Sequence, residues 1–125
     1  MSDLQCPMTA LLVPRERLAS PACERAWSDQ RLAGFYVDAA LVEAPELAAI
    51  RGRLQTPLEP IGPFADADSF IEAVDELADI YRGETIAVVA TAALIQAALH
   101  RAHPPTEAIT VAIDRSGWAV RGQST

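Results

Sequence analysis

Ile86-Ala87-Val88-Val89-Ala90-Thr91-Ala92-Ala93-Leu94-Ile95-Gln96-Ala97-Ala98-Leu99 decides how this chain folds. Its first five residues are apolar at every position, the pattern of a strand covered on both faces. Its remainder is rich in alanine and leucine, predicting a helix over 92–103 that stops before Pro104-Pro105. Thr91 stands where the strand feeds the helix. Just upstream, Phe70, Val74, Leu77 and Tyr81 recur at steps of four, three and four, so they share one helical face. Ile71 and Ala78 flank that stripe, while Glu72, Asp75, Glu76 and Asp79 face water. Ser69-Phe70-Ile71-Glu72 reads as a capping box with Ser69 as the cap, and Gly83 as the stop.

Working outward, Met8 to Val13 is a short apolar run ending at Pro14, long enough for one buried strand. Ser20-Pro21 starts a helix reaching to about Leu32, and Ala44-Pro45 starts another reaching to about Leu54. Phe35-Tyr36-Val37 is a short β-prone patch between them. Residues 55–63 hold three prolines and a glycine and read as a loop with no regular structure. Ile109 to Ile113, a turn at Asp114-Arg115-Ser116-Gly117, and Trp118-Ala119-Val120 read as a C-terminal hairpin. The expected fold is therefore one α/β domain over residues 1–125. Its form would be a three-layer α/β/α sandwich, with a mainly parallel central sheet and an antiparallel edge.

The chain has 125 residues, half of them hydrophobic, and a formal charge of −7. That composition fits a packed globule rather than a disordered chain. All ten basic residues are arginine and none clusters into a basic stretch, so a nucleic-acid partner is excluded on electrostatic grounds. No apolar run approaches the ~20 residues that cross a bilayer, and no signal peptide is expected. Cys6 and Cys23 lack disulfide-framework or metal spacing, so a cytoplasmic protein with reduced thiols is expected, without cofactor or metal.

Residues 69–99 resemble the carboxy-terminal half of the histidine phosphatase (phosphoglycerate mutase-like) superfamily. Tyr81-Arg82-Gly83-Glu84-Thr85, Val88-Val89, Leu94-Ile95 and Leu99 carry the likeness. Ser20-Pro21, Arg25-Ala26 and Asp38-x-x-Leu41-x-Glu43 are looser echoes. The family's reaction needs an imidazole nucleophile after the first strand and a second imidazole after the buried one. Here those positions read Pro14-Arg15-Glu16-Arg17 and Thr91. Arginine keeps its proton and cannot attack phosphorus. The resemblance thus implies a catalytically degenerate member, one that binds a small anionic ligand or a protein partner without phosphoryl transfer.

Arg15 and Arg25 are the candidate anion ligands at the carboxyl edge of the sheet, with Thr91 offering its hydroxyl. Their alternatives are solvated or ion-paired arginines, with Glu16 and Asp29 as partners, and a plain helix cap. Asp38 and Glu43 are the candidate acid–base carboxylates of an alternative reading, an enzyme acting on an anionic organic small molecule. Otherwise they merely favour the positive end of a helix. A third reading is a structural subunit that pairs as a homodimer, or with a larger homologue, through the edge carrying Trp118 and Val120. His100 and His103 are spaced i,i+3 with no carboxylate at metal spacing, and read as complements to a helix dipole.

Overall fold

The computed structural model describes residues 6–54 and 56–123. In chain order they form β1 (Met8–Pro14), α1 (Pro21–Ser28), β2 (Gly34–Asp38), α2 (Pro45–Arg51), β3 (Leu58–Ile61), α3 (Ala67–Ile80), β4 (Thr85–Ala90), α4 (Ala92–Leu99), β5 (Ile109–Asp114) and β6 (Gly117–Gln123). Short 3-10 turns follow β1 and β2 at Arg15–Arg17 and Ala39–Leu41. The strands lie in one sheet in the order β3-β2-β4-β1-β5-β6.

Ile86 to Ala90 are fully buried because β4 sits between β2 and β1, paired in parallel with both. Strand alternation then divides its side chains. Ile86, Val88 and Ala90 enter one core with Leu12, Phe70, Val74, Ile95 and Val111, to which α3 and α4 contribute. Ala87 and Val89 enter a second core with Val13, Trp27, Phe35, Leu47 and Ile50, to which α1 and α2 contribute. Each fully buried leucine, isoleucine or phenylalanine side chain favours folding by about 1.5–3 kcal/mol relative to exposure. An unbroken apolar run is what a strand with a core on either side requires.

The sheet is mixed rather than mainly parallel. β1–β4, β2–β4 and β2–β3 are parallel pairs, whereas β1–β5 and β5–β6 are antiparallel. The reason lies after α4. The chain crosses back through residues 100–108 before β5 begins, so Ile109 pairs with Leu12 near the far end of β1.

Residues 55–63 are not all loop. Leu58–Ile61 forms β3, with Pro60 opposite Val37 of β2. A proline survives there because β3 is an edge strand, and an edge residue can lack an N–H without breaking a second ladder. The helix ends also differ from expectation. α1 stops at Ser28, α2 at Arg51 and α4 at Leu99, where His100 takes a left-handed conformation with φ 55°. α3 begins two residues before Ser69. Asp66 is its cap, accepting from the Ser69 amide at 2.9 Å, and Ser69 Oγ accepts in return from the Asp66 amide at 3.2 Å. The reciprocal box exists three residues earlier than expected, with Asp66 as the cap and Ser69 in the role expected of Glu72. Among the described residues no helix is long and apolar enough to cross a membrane.

Candidate functional site

The four parallel strands end at Pro14, Asp38, Ile61 and Ala90, which defines a carboxyl edge. α1 leaves β1 towards one core and α4 leaves β4 towards the other. Adjacent strands whose connections diverge to opposite faces open the crevice where α/β sheets bind ligands. Here that crevice lies between β1 and β4, and Thr91 stands on it.

Its polar groups are engaged with the protein itself. Thr91 Oγ1 accepts from the Leu94 amide at 3.2 Å and caps α4. Glu16, on the turn after β1, places Oε1 2.9 Å from the Ala92 amide nitrogen, which donates to it. The first amides of a helix lack intrahelical acceptors and carry its positive end. A carboxylate from 76 residues away in sequence therefore sits where an external anion would otherwise bind. Arg15 turns the other way, its Nε 3.5 Å from Glu46 Oε1 in the first turn of α2. Both of those atoms are buried without a hydrogen-bond partner, although each side chain is 34% exposed. At that length and exposure the pair is worth at most about 1 kcal/mol. The exit of β1 is thus fastened to a helix on each face.

Asp38, at the end of β2, is 5% exposed and accepts from the Ala40 amide at 3.0 Å, capping the turn that follows. Glu43 and Arg25 are exposed. Of the five residues singled out from sequence, Arg15, Asp38 and Thr91 share the carboxyl edge, and the bonds they make run to other residues rather than to one another. His103 is exposed beyond α4. Among the described residues no three histidine, cysteine or acidic side chains are placed to hold a metal. Cys6 and Cys23 are free thiols, the second fully buried.

The opposite, amino edge holds a cavity of about 260 Å³. Trp27 and Phe35 form part of its lining, edge to face with centroids 5.8 Å apart, and Leu32 and Leu54 add apolar wall. Ser28, Gln30, Arg31, Arg53 and Thr56 complete it. The Thr56 hydroxyl donates to the Leu32 carbonyl at 3.0 Å, tying together the two loops that enclose the space. Arg53 pairs with Glu24 at 2.5 Å. Arg31 is exposed, and among the described residues its guanidinium has no partner.

Two titrating groups depart from their ordinary behaviour. Burial, and then a 2.6 Å hydrogen bond with the Tyr81 hydroxyl, push the Tyr36 phenol upward. The hydroxyl and amide of Ser116 hold Asp114 below the usual carboxylate value, in the turn before β6.

Compared with known proteins, the chain matches no family model, no curated protein and no solved structure.

Neither Glu16 nor the amino-edge cavity stands out in the sequence. Glu16 is one acidic residue between two arginines, and its partner lies on a distant helix. The cavity draws on two stretches, one running from the end of α1 into β2 and one after α2, that meet only in the folded chain.

Proposed function

We propose that this is a compact three-layer domain of the histidine phosphatase type that has given up phosphoryl transfer. It acts instead by binding a small anionic ligand or a protein partner. One observation carries the loss of phosphoryl transfer. The β4–α4 junction at the sheet centre bears a hydroxyl engaged as a helix cap and a carboxylate seated on the Ala92 amide. A phosphoryl group approaching that junction meets negative charge and no imidazole. The partner arm draws support from β6, which among the described residues has a neighbouring strand on one side only and leaves Val120 49% exposed.

The test is hydrolysis of a generic aryl phosphate by the full chain. Release no faster than in buffer is expected. Turnover that disappears in Thr91→Ala would overturn the proposal.

The acid–base alternative has one observation in its favour, the burial of the Asp38 carboxylate at the carboxyl edge. Its present bond to the Ala40 amide is that of a structural cap. Asp38→Asn would then alter stability and leave any turnover intact, whereas turnover lost in this variant would favour the alternative.

A further inference from the structure

We infer that the amino-edge cavity is a binding site for a small carboxylate with a hydrophobic body. The inference gives the small-anion arm of the preceding proposal a place, and it stands without the family reading because the cavity lies at the other end of the sheet.

Charge comes first. The chain carries a net −7, yet the cavity lining contains two arginines and no acidic residue. A lining with guanidinium groups and no carboxylate favours an anion over a cation there. The two arginines differ. Arg53 is bonded to Glu24. Arg31 keeps its planar fork of donors unused among the described residues. One free fork matches one carboxylate through two parallel hydrogen bonds.

Shape sets the rest of the ligand. Half-buried Leu32 and Leu54 lay an apolar strip over the buried Trp27 and Phe35, and Ser28, Gln30 and Thr56 line the rest with neutral polar groups. A volume of about 260 Å³ falls just below the roughly 300–1,000 Å³ of pockets that take drug-sized ligands. The occupant is therefore of metabolite size, with one anionic group at the rim and an aryl or branched-alkyl body inside. Thr56 and Leu32 hold the two enclosing loops together, so the space exists before a ligand arrives.

The experiment titrates phenylacetate into the full-length, isotope-labelled protein and follows amide shifts by NMR. Phenylacetamide, acetate and inorganic phosphate serve as comparison probes. Saturable shifts at millimolar phenylacetate are expected, confined among the described residues to 27–35, 53, 54 and 56. The neutral amide and both body-less anions should bind at least about tenfold more weakly, the loss expected when either half of a two-part recognition is removed. Arg31→Gln, at an exposed position, should weaken phenylacetate by about tenfold while leaving the fold intact. Ser28→Trp, which fills the mouth, should abolish binding. Shifts centred on residues 16 and 91–92, equal binding of phenylacetamide, an unaffected Arg31→Gln variant, or no saturable shift would each overturn the inference.

Discussion

The two ends of the sheet finish in opposite conditions. At the carboxyl edge the polar side chains nearest the β1–β4 crevice have internal tasks. Thr91 caps α4, Glu16 covers the Ala92 amide, Asp38 caps a turn and Arg15 leans on Glu46. At the amino edge two loops meet over an aromatic pair, and a cavity remains with an unengaged guanidinium at its rim. Topology favours the first edge for a ligand and side-chain chemistry favours the second. Topology locates a crevice, but whether an anion can use it depends on what the protein has already placed inside.

Substitutions at four positions test this contrast. The largest effect belongs to the amino edge. Trp27 is 4% exposed and packs on Phe35, so Trp27→Ala should cost about 3–5 kcal/mol by chemical denaturation. A loss below 1 kcal/mol would mean the aromatic wall is not a packed element.

On the opposite face of the sheet, Tyr36→Phe should cost about 1 kcal/mol by orphaning the Tyr81 hydroxyl. It should also change the pH profile. The Tyr36 phenol is raised in the folded state, so its contribution is complete below the ordinary phenol value and is lost as pH climbs past it. Unfolding curves of the parent chain should therefore show stability falling in strong alkali, with a shallower fall in Tyr36→Phe.

At the carboxyl edge the effects are those of helix ends. Thr91→Ala should cost about 1 kcal/mol, and Thr91→Ser should restore most of it. Glu16→Gln keeps an acceptor but removes the charge, and should cost only about 0.5 kcal/mol, a difference that shrinks with added salt. If Glu16→Gln proved more damaging than Trp27→Ala, the roles given to the two edges would have to be exchanged.

Local chemistry made much of the fold legible. The unbroken apolar run of β4, the α3 stripe and the Ser20-Pro21 start depend on neighbours in sequence, and the structure forms all three. β3 was hidden because Pro60 argues against a strand unless the strand is known to be an edge. The course of β5 depends on how a nine-residue connection crosses the molecule, which periodicity does not encode. The ends of α1, α2 and α4 lie inside helix-prone sequence and are set by tertiary packing. In the site, Thr91 was legible as a junction residue. The bond from Ala92 to Glu16 was not, since no local rule pairs residues 76 apart.

The most direct test of the account is the Ala92 amide signal of the unmodified chain during titration with inorganic phosphate. The signal should stay in place, because the Glu16 carboxylate already holds that N–H, and should begin to move only in Glu16→Ala. Saturable movement in the unmodified chain would show that the junction is open to anions and contradict the account.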